Sequence, residues 1–204
     1  IIVYRKVIVE IIRDLVKFEN NESLHFTLKI LLSAVPVFIL GMFFRSEVEY
    51  FFGGKIGLVG SMLIVTSLLL TLAHFRKNTH TRVSYPKSFI IGIAQAVAVI
   101  PGISRSGATI SASLLLNVDK DKATRFSFLM VLVPIIGAMI LDTITLIQEP
   151  SVVGGISIMA LLAGTVAAFI TGVMACRWMI AVVRNGKLIY FAVYYLVIGL
   201  LAII

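Results

Sequence analysis

Apolar residues in this chain gather into long runs, separated by short clusters of charge, glycine and turn residues. Runs at about 24–44, 56–76, 123–147, 154–176 and 187–204 approach or exceed the roughly 17–25 residues a helix needs to cross a hydrocarbon core about 30 Å thick. The pattern predicts five membrane-spanning helices. Residues 5–22 read differently: Ile, Val and Leu are mixed with Arg5, Lys6, Glu10, Arg13, Asp14 and Lys17, which predicts an amphipathic helix lying at the membrane surface. The chain opens Ile1-Ile2-Val3-Tyr4, without an initiator Met or a signal-peptide pattern. This predicts a chain cut at the front, with residues 1–4 the tail of an earlier span.

Residues 88–118 break the pattern. These 31 residues hold one charge, Arg105, and are interrupted near their middle by Pro101-Gly102. Proline removes a backbone donor and turns the preceding residue away from helix. Two short helical arms follow, each about 20 Å long at 1.5 Å per residue. The segment is therefore either one broken span or a hairpin that returns to its entry side.

Charge distribution decides between them. The connections at 5–29, 76–87, 119–125 and 177–187 carry five, four, three and three Lys/Arg, whereas those at 45–55 and 148–153 carry two and none. A hairpin puts fifteen basic residues on one side against two on the other, and a single broken span splits them nine to eight. Basic residues favour the cytoplasmic face, so the pattern predicts a re-entrant hairpin whose tip points toward the outer half of the bilayer. The result is an all-α polytopic protein, residues 1–204 forming a single membrane domain. Broken helices meeting near the midplane suit an inverted-repeat architecture, although no internal sequence repeat is visible. Small residues four apart at Gly107/Ser111, Ala108/Ala112 and Gly164/Ala168/Gly172 predict close helix packing.

Composition agrees, with 59% hydrophobic and 14% charged residues. The net charge of +8 does not indicate nucleic acid, because the basic residues sit between apolar runs and not on one folded face. The single Cys176 excludes an internal disulfide framework, and the three His residues show no metal-ligand spacing.

Arg105 lies 18 residues after Lys87 and 14 before Asp119, too deep to reach the surface by snorkelling, and a charge at depth costs at least about 2.5–3.5 kcal/mol. It needs an anion. The only acid inside a predicted span is Asp142, near the outward end of its helix. After the Pro-Gly break, Ser104, Arg105 and Ser106 fall at a helix N-terminus, where free N–H groups and the helix dipole attract anions. Ser106, Thr109 and Ser113 share one face of that arm, and either line a cavity or bond back to their own helix. Gln95, two turns before the break, is a candidate ligand contact or an interhelical hydrogen bond.

The run from Ala94 through Pro101-Gly102-Ile103-Ser104-Arg105-Ser106-Gly107-Ala108-Thr109 to Ser111 resembles the second signature of bacterial undecaprenyl-diphosphate phosphatases. Arg125-Phe126-Ser127-Phe128-Leu129, followed by Pro134, Gly137 and Ala138, resembles the same family, and the likeness extends over essentially the whole chain. The resemblance implies hydrolysis of a prenyl diphosphate left by cell-wall polymerisation, at a site open to the periplasm of the bacterial inner membrane. It implies Ser104, Arg105 and Ser106 as catalytic residues, one serine being a candidate nucleophile. Gly102, Thr109 and Gln95 would contact substrate, and Mg²⁺ or Ca²⁺ would serve as cofactor. The implied partners are the bilayer and the prenyl diphosphate, with homo-oligomers left open.

The family's first signature, paired glutamates followed by a Ser-Ser-Thr-Gly-His run, has no match here. Each Glu (Glu10, Glu19, Glu22, Glu47, Glu49, Glu149) falls in a predicted loop or surface segment. The expectation is a chain lacking a first hairpin that carries the acid–base groups and metal ligands. Two other readings stand beside hydrolysis: a transporter or flippase for a lipid phosphate, which needs no glutamate pair, and an inactive fragment. Residues 1–204 alone are expected to release no phosphate from a prenyl diphosphate; robust turnover by the purified fragment would refute this.

Overall fold

The computed structural model describes residues 2–17, 21–43, 56–76, 79–148 and 157–204. The connections at 45–55 and 149–153, and residues 154–156 of the predicted fourth span, lie outside the described residues. A short 3₁₀ turn at Ile2–Tyr4 leads into α1 (Arg5–Val16), followed by α2 (Glu22–Phe43), α3 (Ile56–His74), α4 (Tyr85–Val97) and α5 (Arg105–Leu115). After these come α6 (Lys120–Met130), α7 (Leu132–Gln148), α8 (Ile158–Arg184) and α9 (Leu188–Ile203). No strand occurs among the described residues.

Local chemistry sets several boundaries. Asn21 caps α2, its Oδ1 accepting the Leu24 N–H at 2.9 Å, and Asp119 caps α6 by accepting from the N–H groups of Asp121 and Lys122. Helix α5 ends at Asn117, which takes a positive φ of 59°, and the Val118 N–H then bonds back to the Ser113 carbonyl at 3.0 Å. Between α6 and α7 the helix breaks at Val131. Pro134 lacks the N–H that would have reached the Met130 carbonyl, which accounts for the break.

Glu22–Phe43, Ile56–His74, Lys120–Thr145 and Met159–Arg184 are long and apolar enough to cross a bilayer, and Leu188–Ile203 is a shorter apolar helix of 16 residues. The protein is a multi-pass membrane protein. One expected boundary moves: the fourth span continues as helix to Arg184, so the connection predicted at 177–187 shrinks to 185–187.

The segment at 88–118 is a hairpin. Its entry and exit touch: the Asp119 N–H donates to the Thr81 carbonyl at 3.1 Å, Lys122 Nζ to the His80 carbonyl at 3.2 Å, and the Thr79 and Thr81 hydroxyls to the Asn117 carbonyl. The other basic connections meet at the same end. Arg82 pairs with Glu22 at the start of α2, and Arg184 Nε lies 2.7 Å from Asp121 Oδ1. The charge count and the tertiary contacts thus place all four basic connections on one side.

Helix α1 does more than lie at a surface. Val7, Ile8 and Ile11, spaced along one face of α1, and Tyr4 of the turn before it pack against the buried core, while Val9, Ile12 and Val16 stay exposed. That core joins Leu70 of α3, Ile91 and Ile110 of the two hairpin arms, Phe126 and Met130 of α6, and Leu188 at the start of α9.

Close approach is real but partly elsewhere than expected. Ala108 and Ser111 are buried as predicted. At Gly164 and Gly172, however, a Cβ would meet nothing within 4 Å, because that face of α8 has no protein neighbour. The tight crossings are Gly60 on Gly199, each Cβ position 2.8 Å from the other's carbonyl oxygen, and Gly92, whose Cβ would stand 2.4 Å from the Ser33 carbonyl. Gly92→Ala must therefore push α4 off α2 and is expected to cost about 1–3 kcal/mol. Gly164→Ala should change stability by less than about 0.5 kcal/mol. Thermal unfolding of the two purified variants compares them directly; equal stability would refute the assigned crossing.

Candidate active site

The hairpin tip is irregular backbone, which survives at membrane depth only if its polar groups find protein partners. Gly102 takes φ +94°, a conformation side-chain-bearing residues rarely adopt, and a Cβ there would lie 2.4 Å from the Val59 carbonyl of α3. Thr66 of α3 holds the break: its hydroxyl lies 3.2 Å from the Gly102 carbonyl and 3.1 Å from the Met62 carbonyl, and accepts the Ser104 N–H at 3.1 Å. Ser104 then caps α5, its Oγ accepting the Gly107 N–H at 3.2 Å.

With the helix started this way, Gly107 is bound by the cap and Ala108 by the Ser104 carbonyl, at 2.7 Å. The N–H groups of Arg105 and Ser106 have no partner among the described residues. They stand at the positive end of the α5 dipole. Beside them a cavity of about 280 Å³ is lined by Gln95, Arg105, Ser106, Thr109, Ser127, Phe128 and Val131.

Two side chains in this lining are buried and unsatisfied. Gln95 is 1% exposed and Ser127 4%, and neither the Gln95 amide oxygen and nitrogen nor the Ser127 hydroxyl has a hydrogen-bond partner among the described residues. An unpaired buried polar group costs about 1–3 kcal/mol. Three such atoms beside one guanidinium and two free N–H groups form a cavity equipped to take a polar, oxygen-rich anion.

The predicted residues separate into two groups. Gln95, Arg105, Ser106 and Thr109 come together in the cavity, although Thr109 also donates back to the Arg105 and Ser106 carbonyls. Gly102 and Ser104 do not line it; they shape the turn and cap that aim α5. Ser113, on the same helical face, is fully buried and bonds to the Thr109 carbonyl at 2.7 Å. Arg105 is exposed in the isolated chain and makes no ion pair among the described residues. Asp142 is exposed on α7 and does not line the cavity.

Ser127 is the residue sequence reasoning missed. A lone hydroxyl inside a helical run reads as a back-bonding serine, and only the packing of α6 on the hairpin places it in the same cavity lining as Arg105. The divalent cation implied by the resemblance does not fit this lining. Among the described residues the cavity presents neutral donors and a guanidinium and no carboxylate, and no three His, Cys, Asp or Glu residues come together to hold a metal.

Fold and site together define a polytopic α-helical membrane protein with a re-entrant hairpin that presents a helix N-terminus with free N–H groups beside a polar cavity. Residues 1–201 match the family described as bacitracin resistance protein BacA, and the chain belongs to that family. It is 48% identical over 204 residues to an undecaprenyl-diphosphatase of Christiangramia forsetii, covering 100% of this chain and 76% of that protein. An undecaprenyl-diphosphatase of Bacteroides fragilis is 45% identical over 195 residues, 95% of this chain and 73% of its own length. One of Oceanobacillus iheyensis is 34% identical over 217 residues, 100% of this chain and 77% of its own length.

Proposed function

We propose that this protein serves the hydrolysis of undecaprenyl diphosphate to undecaprenyl phosphate and inorganic phosphate. Family membership and the names of its relatives support the reaction. The observation that carries the site assignment is the convergence of Arg105 with the unsatisfied Gln95 and Ser127 in one cavity.

Hydrolysis needs an oxygen nucleophile on the terminal phosphorus and cleavage of the bridging P–O bond, whose electron pair stays with the prenyl monophosphate. Charge on the phosphoryl oxygens and on the leaving oxygen must be held throughout. Arg105 offers a planar fork for two phosphoryl oxygens, and the Arg105 and Ser106 N–H groups add donors along the α5 axis. Fixed donors of this kind need no reorganisation as the charge moves, which favours the transition state. Gln95 and Ser127 donate from the facing side, and Ser106 contributes a further hydroxyl. Thr109 narrows the cavity between them. Phe128 and Val131 form an apolar edge against which the start of the prenyl chain can lie.

No carboxylate or imidazole lines the cavity among the described residues. These side chains therefore bind, orient and stabilise charge, and the proton on the attacking oxygen must pass to a base outside this lining. Ser106, which lines the cavity, is the serine of the segment best placed to meet the phosphate; Ser104 acts by capping the helix that presents it.

The orientation follows from charge. With the basic connections on the cytoplasmic side, the hairpin tip faces the outer half of the bacterial inner membrane and substrate arrives from the exterior.

Arg105→Lys keeps the charge and removes the fork. In the full-length protein it is expected to lower kcat by about 10²–10³, the loss seen when one fixed transition-state donor is removed, and wild-type turnover would count against the clamp. Ser127→Ala should lower kcat/KM by roughly tenfold or more, as expected for one hydrogen bond to a charged group, with folding unchanged by circular dichroism. Orientation is checked with single cysteines at 79–84 and 148–153: they should be labelled from opposite faces of the membrane, and labelling from the same face would overturn the topology.

A further inference from the structure

The larger cavity lies at the other end of the molecule. About 720 Å³ in volume, it opens among the basic connections, between α1, the start of α2, the 82–83 segment and the start of α6. Its cations are Lys29, Arg82, Lys122 and Arg125, and its acids Glu10, Asp14 and Glu22. The three acids offset much of this charge but leave the cations in excess by one, and among the described residues only one acid forms an ion pair with a cation of the lining. Glu22 is paired with Arg82, and Asp14 accepts from the Ser23 hydroxyl at 2.7 Å. Glu10 projects from α1 and pairs with nothing among the described residues.

Three cations make no direct ion pair among the described residues, although the Glu22 carboxylate, bonded first to Arg82, also feels the charges of Lys29 and Lys122. Lys29 Nζ stands 5.3 Å over the Tyr85 ring, Lys122 Nζ donates to the His80 carbonyl, and Arg125 lies 5.2 Å over the Phe26 ring. Arg125 is the most constrained, because its Nε is buried and has no hydrogen-bond acceptor. A buried N–H without an acceptor, on a side chain that lines a polar cavity, calls for an oxygen partner. The depth of the cavity also matters: α1 forms one wall and exposes Val9, Ile12 and Val16, the arrangement of a helix seated where headgroups meet acyl chains.

We propose that this cavity binds an anionic phosphate group at the basic face of the protein, held by Lys29, Lys122 and Arg125, and separate from the cavity at Arg105. Basic pockets at the basic ends of membrane helices suit phosphate headgroups, and the same three cations would accept a free phosphate ion. The ring stacking of Lys29 and Arg125 fixes both charges before a ligand arrives, so little side-chain ordering remains to oppose binding.

The test uses the full-length protein in nanodiscs. Native mass spectrometry should show phosphatidylglycerol retained in mixed phosphatidylglycerol/phosphatidylcholine discs, and retention should fall about 25-fold in Lys29→Gln/Lys122→Gln, from about fivefold per cation removed. Lys6→Gln/Arg13→Gln, two basic positions of α1 outside the cavity, should retain the lipid as the unaltered protein does. In pure phosphatidylcholine discs, millimolar inorganic phosphate is the second probe, read by thermal stabilisation. Lipid retention lost in the Lys29/Lys122 variant assigns the site to a headgroup; phosphate stabilisation lost in the same variant assigns it to the free ion. Binding of neither probe, or equal losses in both double variants, overturns the proposal.

Discussion

One hydroxyl, that of Thr66, carries the constraint on which the site depends. Lipid offers no hydrogen bonds to irregular backbone, so a helix can break at membrane depth only where protein replaces them. Thr66 is 1% exposed, meets the Gly102 carbonyl and the Ser104 N–H on the two sides of the break, and leaves α5 free to start. Pro101 forbids continuation of α4, Gly102 permits close approach to Val59, and Ser104 begins the next helix. The direction of α5 is thereby fixed, and the residues that carry its free N–H groups line the cavity.

The same logic explains why the site is polar without being satisfied. In a protein interior, buried amides and hydroxyls are almost always paired. Here Gln95 and Ser127 stay unpaired beside Arg105, at a cost in stability that a rigid scaffold must offset. The scaffold is built from close helix crossings, because apolar surface gains little by moving from lipid to protein and packing supplies the attraction. Gly60 on Gly199, Gly92 on Ser33 and the Ser67 hydroxyl bonded to the Ala192 carbonyl at 2.7 Å do this work.

The two ends of the molecule divide the chemistry. At the basic end, Arg82–Glu22, Arg184–Asp121 and the Thr81–Asp119 backbone bond tie the connections together. Exposed ion pairs contribute at most about 1 kcal/mol each, so they register the helix ends more than they stabilise them. At the tip, a single guanidinium stands beside the buried Gln95 and Ser127 side chains, and buried donors count for more.

Hydrophobic run length, the Pro-Gly break and the distribution of Lys and Arg determined the membrane class, the re-entrant hairpin and the side on which its ends lie, because each is a local property forced by lipid. Arg105 was legible as a candidate for the same reason: the lone charge of a 31-residue segment at membrane depth demands an anion. The roles of individual hydroxyls were not legible, since Ser104, Ser106, Ser113 and Ser127 differ only in what surrounds them. Local bonds made Ser104 a cap and tied Ser113 back to its own helix, whereas tertiary packing put Ser127 in the cavity lining. It also left the Gly164/Ala168/Gly172 stripe open while joining Gly60 to Gly199. A small or polar residue shows that a helix can approach or bond something; which neighbour it meets depends on where the remaining helices pack.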